Sequence, residues 1–322
     1  MTGNLTESFY RPMQHVDKLE NLQIERPSML AIGVFDGLHR GHQHLIRSLV
    51  EEAHKSGNLA GVLTFNPHPD EVLQGPKGRY NLTTVDERAN LMAGLGADFL
   101  VTHPFNREVM QIRAADFVDR LVQYLNLCCL WVGEDFALGY RREGNVAFLT
   151  EQGQQKNFTV RAIPLVDSEE NVVNSTAIRA ALRGGDLNKA NDWLGRSYSV
   201  TGEVIHGQKR GRKLGYPTAN IEVPAGKLIP ANGVYAGWAY VNDQRLMGAT
   251  NVGYSPTFGN EAVTVETFIL DFDGDLYGQQ MTFTFEKYLR PEMKFNGLEA
   301  LIEQMQSDVA TTRDHLTQLA GR

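Results

Sequence analysis

The stretch that most limits what this chain can become runs from Met29 to Ala53. Met29 to Val34 is a short apolar run, and Leu45, Ile46, Leu49, Val50 and Ala53 then recur at helical spacing. The residues between them, Phe35-Asp-Gly-Leu-His-Arg-Gly-His42, form a turn from a buried strand into an amphipathic helix. Such a turn aims free backbone N–H groups and the positive end of a helix dipole at one point, which favours a phosphate. Gly33, Gly37 and Gly41 let the backbone approach a ligand with no Cβ in the way. His39 and His42 can each donate a hydrogen bond to a phosphate oxygen, and Asp36 can fix the turn or one imidazole.

Taken singly, His39, His42 and His44 read as surface histidines at a helix start. Three histidines with no Cys, Asp or Glu at ligand spacing also make a poor metal site. The whole string is more specific. It resembles the G-x-F-D-x-x-H-x-G-H signature of the nucleotidylyltransferase superfamily. In the form Gly33-Val-Phe-Asp-Gly-Leu-His-Arg-Gly-His42 it resembles the bacterial bifunctional riboflavin kinase/FMN adenylyltransferases. That resemblance implies His39 and His42 as catalytic groups, with Gly33, Phe35, Asp36 and Gly41 around the phosphates of ATP.

A chain of 322 residues exceeds what one core needs, so two domains are expected. The net charge of −7 argues against a nucleic-acid surface, which needs clustered Lys and Arg. No apolar run is long enough for a membrane span, and no signal-peptide pattern opens the sequence. The two cysteines, Cys128 and Cys129, are adjacent and close no useful loop. They read as reduced packing residues of a cytoplasmic protein.

Strands and helices alternate through the first half. Leu59 to Phe65 is a second strand, ending in Asn66-Pro-His-Pro69. Thr84 and Glu87 make a capping box for a helix that Gly96 ends. Phe99 to Thr102 is a third strand. Phe117, Val118, Leu121, Val122 and Leu125 mark a helix, and Cys128 to Val132 a fourth strand. This is the pattern of a doubly wound parallel α/β sheet, with ligands at the carboxyl ends of its strands. Asn66 and the run Gly133-Glu-Asp135-Phe136 then share a rim with His39 and His42. The resemblance extends here: "TFNPHP" is similar to the family's TF-x-PHP. Gly133 to Asn145 is similar to its G-x-DF-x-FG-x-x-R-x-G-D, with Leu138 and Asn145 in place of Phe and Asp. Asn66 and Asp135 are thereby implied at the flavin. Val173-Asn-Ser-Thr-Ala-Ile-Arg179 resembles I-S-S-T-x-I-R, which implies Ser175 and Thr176 at phosphate and Arg179 as a further catalytic group. Asn174, in place of Ser, can still cap the helix that follows.

Gly184-Gly185-Asp186 reads as a hinge and Leu187 to Leu194 as a short linking helix, which divides the chain into 1–186 and 187–322. Beyond Tyr198 the period changes. Val200, Gly202 and Val204 alternate with polar residues, and strands follow at Gly233–Val241, Leu246–Val252, Val263–Leu270 and Gln280–Tyr288. That spacing predicts a small antiparallel β-barrel. Leu298, Leu301, Ile302 and Met305 mark a closing C-terminal helix. Asp271 to Asp275 is no calcium loop, having its Gly at position four and no Glu at twelve, and Asp-Gly there reads as a hairpin turn. Gly207 to Leu214 is likewise no Walker A loop, since no Lys-Ser/Thr pair opens a helix.

Gly211-Arg-Lys-Leu-Gly-Tyr-Pro-Thr-Ala-Asn220 resembles the riboflavin kinase signature G-R-x-L-G-[FY]-P-T-A-N. It implies Gly207, Gly211, Arg212 and Gly215 around ATP, and Thr218 and Asn220 as neutral oxygens for Mg²⁺. Val265 to Leu270 resembles V-E-T-H-x-L, which implies Glu266 as the catalytic base and puts Phe268 where His is common. Leu289 to Phe295 matches L-R-x-E-x-K-F, which implies Arg290, Glu292 and Phe295 near the flavin. The resemblance thus implies a two-domain enzyme using ATP and Mg²⁺, with riboflavin as substrate, FMN as intermediate and FAD as product. Its partners are these small molecules, with no nucleic acid and no membrane, and the oligomeric state stays open. Two adenylyltransferase alternatives act on NMN or phosphopantetheine, but neither carries a flavin kinase half. A flavin-binding regulator without catalysis is the rival from another class, and intact His39, His42, Thr218, Asn220 and Glu266 argue against it.

Overall fold

The protein is described here from a computed structural model, which covers residues 12–164, 167–168, 171–207, 215–257 and 260–321. The first half contains β1 (Gln14–Val16), β2 (Ser28–Ile32), α1 (Arg40–Lys55), β3 (Leu59–Asn66), α2 (Pro69–Gln74), α3 (Val85–Gly94) and β4 (Phe99–Pro104). It continues with α4 (Ala114–Leu125), β5 (Leu127–Gly133), β6 (Ala137–Leu138), β7 (Gly144–Asn145), α5 (Val146–Lys156), β8 (Thr159–Ile163), β9 (Asp167–Ser168) and β10 (Asn171–Val172). The second half contains α6 (Ser175–Arg183), α7 (Leu187–Leu194), β11 (Tyr198–Ile205), β12 (Thr218–Ile221), β13 (Gly233–Val241), β14 (Gln244–Thr257), β15 (Asn260–Ile269), β16 (Gln280–Arg290) and α8 (Leu298–Ala320).

Two compact units result. One comprises the described residues up to Lys77 together with Thr83–Val173; the other comprises Gly78–Leu82 and the residues from Asn174 onward. The first unit is a six-stranded parallel sheet in the order β1-β4-β3-β2-β5-β8. Every residue of β2 is buried, because alternate side chains serve two cores. Met29 and Ala31 pack with Ile46, Leu49 and Val50 of α1 and Met92 of α3, while Leu30 and Ile32 pack with Phe117, Val118 and Leu121 of α4. The Thr84–Glu87 capping box forms as expected, and Gly96 turns the chain with φ of 89° just past α3. Strands β1 and β8 were not legible: β1 has three residues, and β8 is an edge strand with little apolar periodicity.

The second unit is a closed antiparallel barrel in the order β11-β12-β15-β14-β13-β16. Tyr198, Tyr235, Phe283 and Phe285 fill it, and α8 packs on β13 and β14. The hairpin reading of Asp271–Asp275 is corrected. Strand β15 pairs with β12 and β14, and β16 with β11 and β13, so the Asp-Gly run joins strands that are not neighbours. Its Asp271 instead forms a two-pronged ion pair with Arg313 of α8 at 2.7 and 2.9 Å. The Gly184-Gly185 pair ends α6: Gly184 N–H reaches the Ala180 carbonyl, and Gly185 takes φ of 79°.

Helix α6 packs on α7, buries Ile178 and Leu182, and accepts the Ala231 N–H at the Leu182 carbonyl. A fragment beginning at Asn174 should therefore be more stable than one beginning at Leu187. Two buried aliphatic side chains are worth roughly 3–6 kcal/mol together. Chemical denaturation of the two fragments checks this; equal midpoints would show that α6 adds nothing.

Candidate active sites

In the first unit, β2 stops at Ile32 and the chain turns sharply. Phe35 and Leu38 both take left-handed φ, at 50° and 41°, where a side chain is strained. Both are held there because their side chains are buried in the core beneath α1. Gly37, with φ of 80°, supplies the third left-handed position, and its N–H donates to Thr83 Oγ1 at 3.1 Å. Asp36 is buried and accepts from the N–H and the hydroxyl of Thr83 at 3.0 and 3.1 Å. So Asp36 fixes the turn, which was one of its two expected roles.

His39 is the N-cap of α1, its Nδ1 accepting from the His42 N–H at 3.4 Å. The His39 and His42 rings stack at 3.6 Å, and Phe35 meets His42 edge-on at 5.1 Å. His42 Nδ1 is shut off from solvent and has no hydrogen-bond partner among the described residues. Burial, then the neighbouring His39 and Arg88, hold the His42 pKa well below the ordinary histidine value. Helix α1 has no acidic residue in its first turn; Arg40, Gly41 and His42 stand there instead. Basic groups at the positive end of a helix dipole are unfavourable unless an anion binds among them.

Arg88 was not found from sequence. It is buried, and its Nη1 donates to the Val34 carbonyl at 2.8 Å and to Thr64 Oγ1 at 2.9 Å. It thereby ties the carboxyl ends of β2 and β3 together. An arginine on an otherwise amphipathic helix carries no mark in sequence of such burial. Asn66 ends β3 on this rim and borders a cavity of about 560 Å³ with His15 and Thr102. Asp135 follows β5, and its carbonyl accepts from Arg142 at 2.8 Å. Both family departures in the loop have clear roles: Leu138 is buried in the core, and Asn145 caps α5 by accepting from the Phe148 N–H at 3.0 Å.

Ser175, Thr176 and Arg179 belong to the second unit. Asn174 caps α6, accepting from the Ala177 N–H at 2.8 Å. Arg179 is buried; its Nε donates to the Tyr80 carbonyl at 2.9 Å, and its guanidinium lies 3.8 Å from the Tyr80 ring centre.

The barrel holds two cavities that share Thr218. One, of about 310 Å³, is bordered by Thr218, Asn251, Glu266, Phe268, Arg290 and Phe295. The other, of about 240 Å³, is bordered by Gly207, Thr218, Asn220, Asp273 and Asp275. Cross-strand register explains the first grouping: Thr218 on β12 lies opposite Phe268 on β15, and Asn251 on β14 lies opposite Glu266 on the same strand. A Cβ on Gly207 would collide with the Asn220 amide, so any other residue there would displace that side chain. Gly215 precedes this strand with φ of 82°. Gly211 and Arg212 lie outside the described residues.

Arg290 is not a lone cation beside the cavity. Its Nε and Nη2 grip Asp308 of α8 at 3.0 and 2.7 Å, and Phe295 lies 5.8 Å away. Asp308 was missed, because an aspartate in mid-helix reads as part of a solvated face. Glu292 accepts from Asn251 Nδ2 at 3.3 Å. Among the described residues no group of three His, Cys, Asp or Glu is placed to hold a metal, and no helix is long and apolar enough to cross a membrane.

Comparison with known proteins gives two adjacent matches. Residues 21–177 match the FAD synthetase family and residues 194–316 the riboflavin kinase family. A bifunctional riboflavin kinase/FMN adenylyltransferase of Listeria monocytogenes is 36% identical over 293 residues, covering 90% of this chain and 93% of that protein. One from Pseudomonas fluorescens is 38% identical over 304 residues, covering 94% and 97%. A Streptococcus pneumoniae crystal structure, described as a macrolide-efflux protein, superposes with a TM-score of 0.84 at 27% identity, covering 94% of this chain and 99% of the other.

Proposed function

This chain belongs to the bifunctional riboflavin kinase/FMN adenylyltransferases, and from that premise we propose how its residues divide the two reactions. It phosphorylates riboflavin to FMN and joins FMN to AMP to give FAD. The observation that carries the residue assignment is the pair of barrel cavities meeting at Thr218. Riboflavin takes the cavity with Glu266, between Phe268 and Phe295, and ATP takes the one with Gly207 and Asn220. The Glu266 carboxylate accepts the proton of the riboflavin terminal hydroxyl as that oxygen attacks the γ-phosphorus and ADP departs. Asp308 orients Arg290, so that the guanidinium faces the flavin cavity in one fixed pose.

Thr218 and Asn220 are neutral oxygen donors with alternating-strand spacing, so both lie on one face of β12. They fit Mg²⁺ whose other ligands are phosphate oxygens. Bound there, Mg²⁺ would neutralise charge on the phosphates. Thr218→Ala and Asn220→Ala should therefore raise the Mg²⁺ concentration needed for half-maximal FMN formation by roughly tenfold each. Mg²⁺ titration of nucleotide binding, followed by intrinsic fluorescence, should show the same shift. An unchanged Mg²⁺ requirement would remove both from the metal assignment.

In the first unit, the α-phosphate of ATP binds at the start of α1. His39 and His42 stabilise its oxygens while the FMN phosphate attacks in line and pyrophosphate leaves. No bond to the protein need form. Asn66 and Asp135 on the same rim serve the flavin. The test is incubation of the full chain with riboflavin and MgATP, followed by separation of the flavins. FMN should appear first and FAD after it; neither appearing would overturn the reading.

A further inference from the structure

Arg88, on α3 of the first unit, is 5% exposed and makes its hydrogen bonds through one nitrogen. Its Nη1 donates to the Val34 carbonyl at 2.8 Å, to Thr64 Oγ1 at 2.9 Å and to the Phe65 carbonyl at 3.4 Å. The buried Thr64 hydroxyl donates in turn to the Val34 carbonyl at 2.8 Å. Guanidinium, hydroxyl and carbonyl thus close a triangle across the carboxyl ends of β2 and β3. Arg88 Nε is shut off from solvent with no partner among the described residues. A buried cation left short of a partner is seldom more stable than an apolar side chain of similar volume. Stability alone therefore does not account for an arginine at this place.

Both strands that the triangle joins lead into the adenylylation site. The Val34 carbonyl belongs to the peptide that enters Phe35. Phe35 holds its left-handed φ of 50° while its ring meets His42 edge-on at 5.1 Å. A side chain stays in that region only where its surroundings over-determine it, and two hydrogen bonds on the preceding carbonyl supply part of that constraint. On the neighbouring strand Phe65 precedes Asn66, which ends β3 on the same rim. The charge reaches the site as well: after burial and His39, Arg88 is the next influence lowering the His42 pKa. We propose that Arg88 is a positioning residue for FMN adenylylation. Through the Val34 and Phe65 carbonyls it fixes Phe35 against His42 and holds the end of β3 in place beside them. The proposal rests on the reading that His39 and His42 hold the transferring phosphate, and every residue in it lies within the first unit. Placement errors of this kind act mainly on kcat, because ligands still bind but reacting atoms are misaligned.

The test is Arg88→Met in the full chain, assayed separately for FAD from supplied FMN and for FMN from riboflavin, with thermal melts. The expected result is a fall in adenylylation kcat of roughly 10–10²-fold, with KM for FMN and ATP and the rate of riboflavin phosphorylation each within about twofold. The melt should shift little, since the Val34 carbonyl keeps the Thr64 hydroxyl. Arg88→Lys should recover the rate to within about threefold, because an ammonium carries three donors and the arginine makes its bonds from a single nitrogen. Thr64→Val keeps the shape and removes the hydroxyl at one corner of the triangle. It should lower kcat about threefold at constant KM, and it decides the matter if Arg88→Met does not fold. Unchanged kcat in folded Arg88→Met, a change confined to KM, a Lys variant as slow as the Met one, or Thr64→Val at the parent rate would each overturn the proposal. Full adenylylation by His42→Ala would remove the parent reading instead, and the two failures are thereby distinct.

Discussion

His42→Ala should lower FAD formation from supplied FMN by roughly 10²–10³, the usual cost of losing one preorganised donor at developing charge. FMN formation from riboflavin should stay near its original rate. The size of the effect follows from how the imidazole is held. Its ring is stacked on His39, braced by Phe35, and its Nδ1 is closed to solvent. A donor locked in this way needs no reorganisation when charge builds on the phosphate. The lowered pKa also makes the ring neutral at physiological pH, donating through a single N–H until an anion arrives. The sign for stability follows. As pH falls from the ordinary histidine value toward the lower folded value, the unfolded chain takes up a proton that the folded chain refuses. This contribution to stability is present at neutral pH and lost in that acid window. Melts of the variant at pH 7 and below should show a weaker acid dependence than the parent. Adenylylation of FMN at an undiminished rate by folded His42→Ala would remove His42 from the mechanism.

Glu266→Gln should lower FMN formation by roughly 10²–10⁴, the range for loss of a positioned general base. The hydroxyl of riboflavin is a poor nucleophile until its proton has somewhere to go, and an amide of the same shape cannot take it. The fold should survive, since Glu266 is half-buried on a strand whose alternate residues, Val265 and Thr267, carry the packing. Adenylylation of supplied FMN should continue. Extra Mg²⁺ should not restore the kinase, which separates Glu266 from Thr218 and Asn220. The measurement is FMN production from riboflavin at several Mg²⁺ concentrations. Folded Glu266→Gln that keeps most of its rate, or regains it with Mg²⁺, is not missing its base.

Much of this protein is legible in its sequence. The run from Met29 to Ala53 dictated strand, turn and helix because each of those preferences acts within a few residues. The change from β-α alternation to short alternating strands likewise announced a parallel sheet followed by a barrel, and α7 and α8 formed where apolar spacing put them. Family motifs then marked His39, His42, Thr218, Asn220 and Glu266 by residue type and order.

Contacts distant in sequence were decided only by the tertiary structure. Alternation tells which face of a strand is buried but not which strand lies beside it, so the Asp271–Asp275 connection was misread as a hairpin. Edge strands β1 and β8 escaped because a half-exposed edge needs little apolar period. Arg290 found Asp308 eighteen residues on, and Arg88 found Val34 and Thr64, through burial that local pattern does not encode. Residues 78–82, a stretch with no apolar period, gained their place through the Gly226 carbonyl, which the Tyr80 and Asn81 N–H groups reach, and through Lys227, which donates to the Leu82 carbonyl. Local preference is set by neighbours in the chain, and these pairings are set by neighbours in space.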